Sequence, residues 1–238
     1  MKIMGFDVYE GKLDSIDISS KTIINTLNAH SYIVSKNDSQ FKTALINSDI
    51  LLPDGVGIVL AAKHIYQKSI KKIAGFDLHN FLLRAMNDTN GKVFYMGSSP
   101  NTLTKIEKKI EIDFPNISIM THSPPYSLSF SESENKLIID KINAFKPDVL
   151  FIGMTAPKQE KWLEMNKELL NFKLAASIGA VFDFYAGTIK RPNKYTRYLV
   201  GESLARFFKE PKRLWKRNFI SIPLFIIEIL YFKFKTKK

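Results

Sequence analysis

Two short runs, KVFYMG (residues 92–97) and DVLFIG (148–153), are apolar or aromatic at almost every position and end on glycine. A strand with one wet face alternates apolar and polar residues. Runs without alternation belong to strands buried on both faces, the condition of a parallel sheet covered by helices. Four more runs extend the set: TIINTL (22–27), DILL (49–52), ISIMT (117–121) and KLAASIG (173–179). Between them lie stretches with helical spacing, at 40–47, 56–66, 78–86, after Pro100, 131–145 and 158–170. The rhythm predicts an α/β fold, a Rossmann-like and mostly parallel sheet with helices on both faces. The Pro- and Ser-rich stretch 121–134 reads as a loop.

Charge divides the chain differently. The net charge of the 238 residues is +12, but residues 189–238 hold 14 Lys and Arg against Glu202, Glu210 and Glu228, which leaves the first 188 residues close to neutral. A nucleic-acid binder would interleave basic residues over its folded face, so that class is excluded. The division predicts an α/β core over 1–190 and a basic, amphipathic helical appendage over 191–238. Within the appendage, FISIPLFIIEILYF (219–232) is apolar but broken by Pro223 and Glu228. It falls short of the roughly 20 residues a spanning helix needs. Basic residues on both sides suit an in-plane contact with an anionic membrane surface; a buried core helix or a subunit contact fits the same pattern.

With no cysteine in the chain, disulfides, thiolate metal sites and a cysteine nucleophile are excluded, and a reducing compartment is expected. The N-terminus, MKIMGFDVYEGK, lacks the basic, apolar, small-residue order of a signal peptide. His30, His64, His79 and His122 have no ligand spacing and no Asp-rich loop accompanies them, so no metal is indicated.

In parallel sheets ligands bind beyond the carboxyl ends of the strands. Residues at the end of each run or just past it are Thr26 and Asn28, Asp54-Gly55, Gly97-Ser98-Ser99, Gly153 to Gln159, and Asp183. The turn at Gly97 leads into a helix and offers N–H groups to a phosphate, or is simply a tight turn that needs glycine. Asp54, in LLPDGVGIV, is either a general base or the N-cap of the helix that starts near Val56. His30 is either polar lining or a helix-start residue without a chemical role.

TLNAH (26–30), LLPDGVGIV (51–59), IAGFDL (73–78), FYMGSSP (94–100), PDVLFIGMTAPKQEKWL (147–163), GAVFDFYAGTIKRP (179–192) and ESLARFFKEPKRLWKR (202–217) occur in this order. Together they resemble the WecG/TagA/CpsF family of bacterial glycosyltransferases, glycosyltransferase family 26. The resemblance implies an inverting, metal-independent enzyme without a cofactor. Such an enzyme moves N-acetylmannosamine or a related sugar from a UDP-sugar donor to a polyprenyl-diphosphate-linked acceptor, for teichoic acid or other surface polysaccharide. It would sit peripherally on the cytoplasmic face of the cell membrane, and oligomers are expected.

By the same resemblance Asp54 is the catalytic base, Thr26, Asn28 and Gln159 line the pocket, and Arg206, Arg213 and Arg217 reach the diphosphate from the appendage. Lys72 stands where the family usually has arginine. It supplies a point charge in place of a bidentate fork, or is a solvated surface residue. If that departure marks a degraded site, the alternative is a nucleotide-sugar or anionic-lipid binding module with little turnover.

Overall fold

The computed structural model describes residues 1–189 and 211–235. A two-residue hairpin, β1 (Lys2–Ile3) and β2 (Phe6–Asp7), opens the chain. The main body then runs β3 (Thr22–Leu27), α1 (Ala29–Asn37), α2 (Ser39–Ile46), β4 (Ile50–Pro53), α3 (Val56–Tyr66), α4 (Gly75–Asp88), β5 (Lys92–Gly97) and α5 (Pro100–Asp113). It continues through β6 (Ser118–His122), α6 (Glu132–Phe145), β7 (Val149–Gly153), α7 (Lys158–Asn166), β8 (Leu174–Ser177) and α8 (Val181–Tyr185). Beyond the gap lie α9 (Pro211–Lys216), a π-helical turn (Arg217–Ser221) and α10 (Ile222–Lys235).

Strands β3 to β8 form one six-stranded sheet in the order β4-β3-β8-β7-β5-β6, and every pairing is parallel. Successive side chains alternate between two cores. Ile24, Tyr95, Phe151 and Ala176 face a core shared with α4, α5 and α8, whereas Ile23, Phe94, Leu150 and Ala175 face α6 and α7. A third cluster beside the β3–β4 edge joins the N-terminal hairpin to α1, α2 and α3. The expected α/β architecture is therefore present, with each of the six strands within a few residues of its reading.

Helix α1 and the hairpin were not legible. The inward face of α1 presents Ser31, Tyr32 and Ser35, so two buried serines obscure the apolar spacing. Asn28 creates the helix start, its side chain accepting from the backbone N–H of His30 and Ser31 while Ser31 Oγ accepts from the N–H of Asn28.

The C-terminal helices dock on the core. Leu214, Asn218, Ser221, Phe225 and Ile229 are buried, and the Phe225 ring meets Tyr32 edge-on. A Cβ at Gly57 would lie 3.2 Å from the Phe225 ring, so glycine lets α3 and α10 approach. Glu228 pairs with Lys36 and accepts from Tyr32 Oη. The π turn ends two residues before Pro223, whose missing N–H cannot continue the i→i−4 ladder. Pro223 thus leaves the helix uninterrupted: the widened turn absorbs it. The predicted boundary between core and appendage, at 190/191, lies outside the described residues, as does Arg206.

Replacing Phe225 by alanine empties the docking site. Stability should fall by about 3 kcal/mol in a denaturant titration. Hydrogen exchange should accelerate in 222–235 while the strand amides of the sheet stay protected.

Candidate active site

All six parallel strands present their carboxyl ends at one edge, so most of the residues singled out above share it. At β3 and β4 the register pairs Thr26 with Leu52 and Leu27 with Pro53. The backbone N–H of Asp54 then donates to the Leu27 carbonyl at 2.9 Å, extending the ladder one step past the strands. A Cβ at Gly55 would stand 3.7 Å from Asn28 Cβ. The N–H of Ile73 donates to the Pro53 carbonyl at 2.9 Å, which brings the Lys72 segment beside the end of β4. Thr26, Asn28, Asp54 and Lys72 are thereby gathered, all half-buried, at one end of the edge.

Asp54 is not the N-cap of α3: that position is Gly55, at φ +97°, one residue further on. The strand ends hold this carboxylate at the edge where parallel sheets bind ligands.

The appendage approaches the same end. His30 Nδ1 lies 2.8 Å from Ser221 Oγ. Burial, reinforced by the charge of Arg217, pushes the His30 imidazole down to about 4. Arg217 is thus close to the start of α1, next to Asn28, and Arg213 stands four residues earlier in α9. His30 takes the helix-start place and ties the appendage to the core. The other histidines are scattered: His79 is buried with its Nε2 2.7 Å from Tyr95 Oη, and His122 meets Lys141. Among the described residues no three His, Cys, Asp or Glu side chains group as metal ligands.

The second group lies at β5, β7 and β8. Gly97 pairs with Gly153, and a Cβ at Gly97 would come within 2.5 Å of the Gly153 carbonyl oxygen. Glycine is therefore required there by strand packing, whatever else the turn binds. Ser99 is engaged as the N-cap of α5, accepting from the N–H of Thr102. Gln159 lies beneath the edge, 4% exposed, with Oε1 accepting from the N–H of Met154 at the end of β7. Asp183 accepts from Thr188 Oγ1. The first group stands at the ends of β4 and β3 and the second at β8, β7 and β5, and because β3 pairs with β8 the two adjoin along the edge.

One buried carboxyl escaped the sequence reading. Glu160, next to Gln159, is 3% exposed, and burial pushes it up to about 7. Its signal was present, since Glu160 is three residues before the core residue Leu163 and so lies on the apolar face of α7.

The model of the glycosyl transferase WecG/TagA/CpsF family matches residues 7–238. The chain belongs to this family. It is a glycosyltransferase, and the match covers both groups at the edge as well as the appendage. Among curated proteins it is 28% identical over 216 residues to an N-acetylglucosaminyldiphosphoundecaprenol N-acetyl-beta-D-mannosaminyltransferase of Bacillus spizizenii, covering 90% of this chain and 81% of that protein. Proteins of the same name from Bacillus subtilis and Staphylococcus aureus MW2 are 27% and 29% identical, over 90% and 82% of this chain and 81% and 74% of theirs.

Burial of His30 against the appendage, beside the charge of Arg217, makes docking acid-sensitive. A histidine whose folded value is depressed binds its proton more readily when released, so stability is full above about 6.5 and falls as pH drops toward about 4. Thermal unfolding across that window should show the decline, and His30→Gln should reduce its slope.

Proposed function

We propose that this enzyme transfers N-acetylmannosamine from a UDP donor to a polyprenyl-diphosphate-linked N-acetylglucosamine at a membrane surface, with Asp54 as general base. The observation that carries the proposal is the position of Asp54: fixed at the carboxyl edge by β3, one residue before the N-cap of α3, and two residues from an apolar surface that leads to the appendage. The names of the relatives support the choice of sugar and acceptor.

Those names specify a β-linked product. Formed from an α-linked nucleotide sugar, it requires a single displacement with inversion. Asp54 takes the proton of the acceptor hydroxyl as that oxygen bonds to the anomeric carbon, and the bond to UDP breaks with its electron pair passing to the diphosphate. Thr26 and Asn28 border the reacting sugar, Gln159 supports it from beneath the edge, and Gly97 leaves the turn open beside the diphosphate. Negative charge developing on UDP meets the cations of Lys72, Arg206, Arg213 and Arg217, without a metal or cofactor.

An exposed apolar face supports the membrane reading. The outer side of the π turn and α10 presents Phe219, Ile226, Ile227, Leu230, Tyr231 and Phe234, while Val56 and Leu60 are exposed on the neighbouring α3. Among the described residues no helix is long and apolar enough to cross a membrane. A face of this kind flanked by Lys and Arg suits in-plane binding to anionic lipid, which would deliver a lipid-linked acceptor next to Asp54.

Two results test the proposal. Asp54→Asn should lower the rate of transfer about 100-fold or more while UDP still binds; equal loss of both would assign Asp54 a structural role. Replacing Phe219, Ile227, Tyr231 and Phe234 together by serine should abolish co-sedimentation with anionic vesicles. Unchanged sedimentation would turn the apolar face into a contact between copies.

A further inference from the structure

The first turn of α7 carries two consecutive buried polar side chains, Gln159 and Glu160. Gln159 Oε1 accepts from the N–H of Met154 at 3.2 Å, and its Nε2 donates to Glu160 Oε1 at 2.9 Å. A Cβ at Gly179 would lie 3.5 Å from Gln159 Oε1, so the carboxamide is wedged between the ends of β7 and β8. Glu160 Oε2 has no hydrogen-bond partner, and Asn25 Oδ1 and Ser177 Oγ share that condition.

These atoms lie on one side of the sheet. Ile24 pairs with Ala176, so Asn25 and Ser177 follow as neighbours on adjacent strands. Ser177 also pairs with Ile152, whose side chain packs in one cluster with Trp162 and Leu163 of α7. Buried polar atoms are ordinarily satisfied. Here the unsatisfied set is complementary: an amide oxygen that only accepts, a hydroxyl that does both, and a carboxyl that donates when protonated.

We propose that Glu160 is a positioning residue for glycosyl transfer: with Asn25 and Ser177 beside it under the β3–β8 end of the sheet, it fixes the Gln159 carboxamide so that the remaining N–H of that amide serves the carboxyl edge. The inference rests on Gln159 supporting the reacting sugar. Burial raises the Glu160 carboxyl to about 7, against the hydrogen bonds from Gln159 and the helix backbone. The protonated form is therefore present near neutrality, and its Oε2–H supplies a donor to a set that otherwise holds an acceptor-only amide oxygen and a hydroxyl. The charges on neighbouring helical turns are engaged elsewhere: Lys161 pairs with Asp38, and Glu164 accepts from Lys167 and from Asn47. When Glu160 ionises, Oε2 loses its proton and with it the donor that Asn25 and Ser177 require.

The test compares the full-length wild type with Glu160→Gln and Glu160→Leu, measuring kcat for transfer, UDP affinity and the infrared carbonyl band of a protonated carboxylic acid. Glutamine reproduces the neutral acid, so Glu160→Gln should keep kcat within about threefold and lose the decline that the wild type shows as pH rises through 7. Leucine fills the space without an acceptor, so kcat should fall about tenfold or more with UDP affinity unchanged, as expected when a buried polar group loses its partner. The infrared band should be present in the wild type near neutral pH and absent from Glu160→Gln. Full kcat in Glu160→Leu, or equal loss in Glu160→Gln, would overturn the proposal. Absence of the band from the wild type would overturn it independently of activity, and also decides the matter should the leucine variant fail to fold. A wild type without transfer from any donor would instead remove the functional reading on which the inference rests.

Discussion

Parallel strand pairing is the constraint from which the rest of this molecule follows. Each of the six strands must be re-entered from the same end, so helices return the chain over both faces and all carboxyl ends meet at one edge. The two edges then take different tasks. At the amino edge carboxylates are structural: Asp49 accepts from the N–H of Ile23, and Asp148 accepts from the N–H of Lys92 while pairing with Lys173. At the carboxyl edge Asp54 is held by its backbone, one residue before Gly55, the N-cap of the helix that follows.

Docking of the appendage completes that edge. Phe225 fits against α1 and α3 because Gly57 carries no side chain, and the same packing brings Ser221 to His30 and Arg217 close to the start of α1. One face of α10 is spent on the core and the opposite face is left apolar and exposed. The exposed apolar face and the place of Arg217 near the start of α1 are thus consequences of one helix packing on another.

Much of this was legible in the sequence because strands buried on both faces leave unbroken apolar runs. KVFYMG and DVLFIG mark β5 and β7 at once, Thr26 stands near the end of β3, and Asn28 and Asp54 directly follow β3 and β4. Other parts were hidden for physical reasons. The inward serines of α1 disguise its period, and the two-residue strands of the hairpin are too short to have one. For the appendage, the apolar run left burial, membrane contact and subunit contact open; its helix uses one face for burial and exposes the other, a division that only the partner surface on α1 and α3 determines. Glu160 was passed over because its role depends on Asn25 and Ser177, remote in sequence and adjacent only through the β3–β8 pairing.

The central claim is that this edge joins a nucleotide-linked sugar to a lipid-linked one. It is tested most directly by measuring UDP release from a panel of UDP-sugars in the presence of a short-chain polyprenyl-diphosphate-GlcNAc acceptor, anionic vesicles and EDTA. The account predicts release with UDP-N-acetylmannosamine that requires the acceptor and withstands EDTA. Release that is independent of the acceptor, or that is abolished by EDTA, would contradict it.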